Sequence, residues 1–114
     1  MPADELLRNA YAAYNRQDAD RLLAMVSDDV DWPDDAGGRL TGKAALRAYW
    51  LEQWTRTRTH DEPVTLTPRG DGRVVARIDQ VVRSLDGRVL ATGTFDQIHL
   101  VEAGLLRRLD IERV

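Results

Sequence analysis

The stretch from Arg73 to Val101 is the longest strand-like run of the chain, two arms rich in Val, Ile, Thr and Phe folded about Asp86-Gly87. That dipeptide suits positive φ, so the run reads as one long β-hairpin and the rest of the chain as its cover. Strand side chains alternate faces. One row of the first arm is Val74, Ala76, Ile78, Gln80, Val82, and the other is Val75, Arg77, Asp79, Val81, Arg83. In the second arm Ala91, Gly93, Phe95, Gln97, His99 alternate with Leu90, Thr92, Thr94, Asp96, Ile98, Leu100. Apolar residues on both faces ask for cover on both. The charges among them are either solvated or line a cavity, and that choice is the functional question.

With 114 residues, 43% of them hydrophobic and 31% charged, the chain forms one domain, spanning 1–114, around a single core. No apolar run approaches membrane-spanning length and no basic-then-apolar leader is present, so a cytoplasmic protein is expected, with no membrane partner. The absence of cysteine excludes disulfides, thiolate zinc sites and cysteine nucleophiles. A net charge of −3, with basic residues dispersed among acids, argues against nucleic acid as a partner.

Read in order, Asp4 can cap a first helix to about Gln17, with Leu7, Ala10, Tyr11 and Tyr14 on one stripe. Asp18 can cap a short second helix that breaks at Ser27-Asp28-Asp29. Val30 to Asp34 suits a brief edge strand, because Pro33 cannot donate to a ladder. A third helix is expected from a Thr41 cap to about Arg56, with Leu46, Tyr49, Trp50, Gln53 and Trp54 along one aromatic face. Thr55 to His60 closes it, Val64 to Thr67 begins the sheet, and a last strand runs from Leu105 to Arg113. Helices ahead of an antiparallel meander imply an α+β domain.

This order resembles the nuclear transport factor 2-like superfamily, and its SnoaL-like and ketosteroid-isomerase-like branches in particular. The residues that carry the likeness are Tyr-Ala-Ala-Tyr-Asn-Arg-Gln-Asp (11 to 18), Ser-Asp-Asp-Val-Asp-Trp-Pro-Asp-Asp (27 to 35), Thr-Gly-Lys-Ala-Ala-Leu-Arg-Ala-Tyr-Trp (41 to 50) and Phe-Asp-Gln-Ile-His-Leu-Val-Glu-Ala-Gly-Leu-Leu (95 to 106). The resemblance implies a cone-shaped domain, three helices packed on a curved, mostly antiparallel sheet enclosing a pocket. It also implies a homodimer through the outer face of the sheet.

Carried over from two anchors, Asp28-Asp29 and Asp86-Gly87, the resemblance places the isomerase general base on Asp34 and its protonated aspartic acid on Asp96. It turns Tyr14, Trp32, Tyr49, Trp50, Arg77, Asp79, Val81, Thr94, Ile98, Leu109 and Ile111 toward the pocket, with Trp54 as a further wall. The family's oxyanion tyrosine falls on Ala10, leaving Tyr11 or Tyr14 to substitute. Limonene epoxide hydrolases, a related branch, have an Arg-x-Asp step that Arg77-Ile-Asp79 matches, but their third acid falls on Ile111, next to Asp110.

Each residue also has a plainer reading. Arg77, Asp79 and Asp96 can form a solvated face or an ion pair, Asp34 can serve a turn, and Tyr49, Trp50 and Trp54 can be core. His60 and His99 lie far apart with no third ligand nearby, so no metal and no cofactor is expected. Two functions remain open. One is a cofactor-independent enzyme moving a proton on a small apolar, carbonyl-containing or polyketide-like molecule, with Asp34, Asp96, Arg77 and Asp79 as its catalytic groups. The other is a non-catalytic binding or dimerisation module, and the Val74, Ala76, Ile78, Val82, Ala91, Phe95 row is the apolar face expected to meet a second copy.

Overall fold

A computed structural model of the chain describes residues 2–113. In chain order its elements are α1 (Ala3–Asn15), α2 (Ala19–Leu23), β1 (Val26–Pro33), β2 (Arg39–Thr41), α3 (Lys43–Gln53), β3 (Thr57–Pro68), β4 (Arg73–Ser84), β5 (Val89–Glu102) and β6 (Leu105–Arg113). The strands make one sheet in the order β2-β1-β6-β5-β4-β3. From β3 to β6 each strand pairs antiparallel with the next, and β1 joins parallel to β6. Three helices on a curved sheet are the α+β cone that the sequence led us to expect.

The central hairpin turns where its glycine allows. Gly87 has φ +93°, its N–H donates to Ser84 O at 3.0 Å, and Ser84 N donates to Arg88 O at 2.8 Å. Alternation then divides the arms. Val74, Ala76 and Ile78 are buried, as are Gln97 and His99 opposite that row, so these rows face the helices. Arg77, Asp79, Thr94 and Asp96 belong to the outward rows. The row expected to meet a second copy is therefore largely consumed within the chain: its first three members are core, and Val82 lines an internal cavity.

Helix α1 buries Leu7, Ala10 and Tyr11 on the expected stripe. It starts two residues earlier than read, with Pro2 at the cap position instead of Asp4 and Asp4 in its first turn, where a carboxylate favours the helix dipole. Asp18 does cap α2, accepting from Arg21 N at 3.1 Å. The run Ser27-Asp28-Asp29 is not a break. It lies inside β1, whose Val26 and Val30 are fully buried while the acids point away. That strand is interior, flanked by β2 and β6, and Pro33 is tolerated because it is the last residue. Helix α3 begins after Gly42, at φ +92°, with no side-chain cap from Thr41.

Candidate functional site

The decisive strand is β3, which starts at Thr57 and so absorbs most of the Thr55 to His60 run that reads in sequence as the close of α3, well ahead of the Val64 expected to begin the sheet. Its register with β4 sets Thr59 opposite Val82 and Asp61 opposite Gln80, so Thr57, Thr59 and Asp61 share the inward face. Across the sheet, Phe95, Gln97 and His99 of β5 and Leu109 and Ile111 of β6 continue it. Between this face and the helices lies a cavity of about 810 Å³, walled also by Tyr11, Tyr14, Trp32, Tyr49 and Trp50. Aromatic walls with a few inward polar groups are the usual form of a small-molecule site.

Asp61 is the buried carboxyl of this cavity, at 5% exposure. Its Oδ1 accepts from Gln80 Nε2 at 2.9 Å. Its backbone is clamped to the end of α1, since Asn15 Nδ2 donates to Asp61 O at 3.0 Å and Asp61 N donates to Asn15 Oδ1 at 2.9 Å. Burial penalises the carboxylate and raises the Asp61 pKa, against smaller lowering effects of the Gln80 bond and His60. Two tyrosines lie close enough to feel that charge. Burial first, and Asp61 second, hold the Tyr11 and Tyr14 hydroxyls above the ordinary phenol range.

Tyr11 OH donates to Gln97 Oε1 at 2.6 Å and lies 2.8 Å from His99 Nε2. Burial pushes the His99 pKa down to about 3, so the imidazole is neutral at neutral pH. Tyr14 OH reaches Gln53 Oε1 at 3.3 Å. Tyr49 OH donates to Asp35 Oδ1 at 2.6 Å, joining α3 to the β1–β2 loop beside the cavity.

Of the residues expected in the pocket, Tyr14, Trp32, Tyr49, Trp50, Thr94, Leu109 and Ile111 line the cavity, Thr94 at its border. Trp54 stacks behind Trp50, centroids 6.2 Å apart, and is core instead. The four residues expected to be catalytic lie elsewhere. Arg77 Nε donates to Asp96 Oδ1 at 2.6 Å on the outward rows, and Thr94 Oγ1, though Thr94 borders the cavity, donates to Asp79 Oδ1 at 2.9 Å. Val81 and Ile98 share those rows and do not line the cavity. Asp34 accepts from Ala36 N at 2.9 Å and Gly38 N at 2.8 Å, stabilising its own loop. The physical reason for the strand errors is parity: a register carried over one residue out turns every side chain to the other face. The epoxide-hydrolase-like step at Arg77 and Asp79 thus lies outside the cavity.

The polar residues that line the cavity on the sheet side include Asp61, Gln80, Gln97 and His99. Asp61 had a signal in Thr57-x-Thr59-x-Asp61, an alternation of β-branched residues that suits a strand. The row with Gln97 and His99 was legible as a row; its direction was not. His60 and His99 are on different strands and in different settings, His60 exposed beside Glu62 at 3.0 Å and His99 buried.

The pattern of residues 7–108 matches the family model described as SnoaL-like domain. The chain belongs to the SnoaL-like family. No curated protein matches it in sequence. Among solved structures, this SnoaL-like domain is similar to a putative polyketide cyclase from Pseudomonas putida KT2440, at 22% identity and TM-score 0.83, over 100% of this chain and 92% of that one. It is similar to TerC, co-crystallised with polyporic acid, at 23% identity and TM-score 0.85, over 100% and 92%. It is also similar to the Δ5-3-ketosteroid isomerase of a Mycobacterium species, at 21% identity and TM-score 0.84, over 99% and 93%. At these identities the likeness establishes a shared cone fold, and the chemistry must be argued from the cavity.

Proposed function

We propose that this domain is a cofactor-independent enzyme that moves a proton on a small, largely apolar, carbonyl-containing molecule, with Asp61 as its acid–base group. The observation that carries the reading is a buried carboxyl of raised pKa lining an aromatic-walled cavity. Desolvation makes the Asp61 carboxylate a stronger base than it would be in water. It takes a proton from the carbon beside the carbonyl, and the electron pair of that C–H bond moves onto the carbonyl oxygen as an enolate. The protonated Asp61 then returns the proton, to a different carbon in an isomerisation or to the oxygen formed when the enolate attacks a second carbonyl in a cyclisation. Gln80 steadies the carboxyl through Oδ1 and leaves the second oxygen to the substrate. The polyketide cyclase and ketosteroid isomerase among the similar folds favour this substrate class.

The reaction is testable before the natural substrate is known. With the bicyclic ketone 1-tetralone in deuterated water, the protein should accelerate exchange of the hydrogens beside the carbonyl, followed by proton NMR. Asp61→Asn should abolish that acceleration while tryptophan quenching by the ketone persists. Undiminished exchange in Asp61→Asn would remove Asp61 from the reaction. One feature favours a second reading, a passive binding module: Asp61 is held by Gln80 and its backbone by Asn15, as a structural residue would be. Quenching without exchange by the unaltered protein would select it.

A further inference from the structure

The buried trio of Tyr11, Gln97 and His99 contains a proton count that has one good solution. A tyrosine hydroxyl has one proton, and a neutral imidazole carries one N–H on either ring nitrogen. The 2.6 Å separation between Tyr11 OH and Gln97 Oε1 is an O–H···O length, shorter than the ~2.7–3.2 Å of an N–H···O bond. Tyr11 therefore spends its proton on the Gln97 carbonyl oxygen. The contact of 2.8 Å to His99 Nε2 then requires the histidine to be the donor, with its proton on Nε2. His99 Nδ1, buried and without a hydrogen-bond partner, is left as a bare lone pair. The reverse arrangement would bury an unpaired N–H there and force an amide N–H into the 2.6 Å contact.

The direction of this relay decides what the cavity offers a ligand. With the Gln97 carbonyl oxygen turned to Tyr11, its two amide N–H bonds are the end that remains, and Gln97 lines the cavity. We infer that His99 is a positioning residue that acts through Tyr11 to turn the Gln97 amide N–H toward the cavity, making Gln97 a hydrogen-bond donor to an acceptor oxygen on the ligand, a ketone or quinone carbonyl. This rests on the reading of the cavity as a site for carbonyl compounds and adds the group that reads the carbonyl. Gln97 lies opposite Ala76, four residues along β4 from the Gln80 that holds Asp61. At ~3.4 Å per residue the donor and the carboxyl are attached about 14 Å apart along the strand direction, on the two strands that flank β4, and both line the cavity. A ligand with a donor-only group such as an ammonium in place of that oxygen would meet a second donor and be rejected.

Two measurements test this. Nitrogen-15 NMR of the histidine side chains at neutral pH should give His99 a pyrrole-type Nε2 and a pyridine-type Nδ1; the opposite assignment overturns the relay whatever the ligand does. The second uses 1-tetralone carrying carbon-13 at its carbonyl. Binding should shift that resonance in the unaltered protein and in Asp61→Asn, so loss of proton exchange and loss of carbonyl recognition are read separately. Gln97→Met, close in shape but without donors, should remove the shift and weaken binding about tenfold, the worth of one net hydrogen bond. His99→Phe, which keeps a ring against Tyr11, should diminish the shift although Gln97 is intact, an effect that packing alone does not produce. An unchanged shift in Gln97→Met, or tryptophan quenching without any carbonyl shift in the unaltered protein, overturns the assignment.

Discussion

Asp61 concentrates the conflict between stability and function in one side chain. Its pKa is higher in the folded chain than in the unfolded one because burial disfavours the charge. The folded state then holds the proton more tightly, so the contribution of this group is most favourable below the unfolded value of about 3.9 and is lost as pH rises through the folded pKa. At neutral pH the buried charge is a net cost. Asp61→Asn keeps an oxygen for Gln80 Nε2 and removes that charge, so the variant should melt at a higher temperature than the parent at pH 7, with the difference shrinking toward pH 4. Thermal melts across that range check it, and a lower melting temperature at pH 7 would mean that the carboxylate is held by more than Gln80. A residue whose neutralisation stabilises the protein is one that packing alone would not choose.

At the scale of elements, the two rows of β4 do different work. Arg77 and Asp96 form a partly exposed ion pair, with side chains 41% and 20% accessible, and exposed pairs contribute little. Arg77→Ala should cost less than about 1 kcal/mol in denaturant unfolding and leave 1-tetralone binding unchanged. Trp50 of α3 is the contrast. It is buried, stacked on Trp54 and in edge contact with Trp32, and Trp50→Ala should cost about 3–5 kcal/mol. A loss of ligand binding in Arg77→Ala would return the outward row to the functional site. The elements themselves were legible where periodicity was strong: the α1 stripe, the Asp86-Gly87 turn and the meander. They were not legible where polar residues fill a strand, because β3 owes its structure to pairing with β4 rather than to its own hydrophobic pattern.

For the whole molecule, a homodimer through the outer face of the sheet is the assembly we expect, on different residues from those the sequence offered. The hairpin end leaves Leu85, Val89 and Leu90 about half exposed, beside outward rows that carry Arg77, Asp79 and Asp96. Sedimentation at high micromolar concentration should find a dimer, and Leu90→Lys should shift it toward monomer; a lone monomer throughout would remove the outer face as an interface. Among the described residues no helix is long and apolar enough to cross a membrane. Local periodicity and turn chemistry encode the class of fold, the position of the central turn, most of the helical core and the aromatic wall, and these are legible in the residues alone. Which row of each strand faces inward is fixed only when the strands pair and the helices pack on them. That choice depends on register between segments distant in sequence, where one residue exchanges a solvated ion pair at Arg77 and Asp96 for a cavity bounded by Asp61, Gln97 and His99.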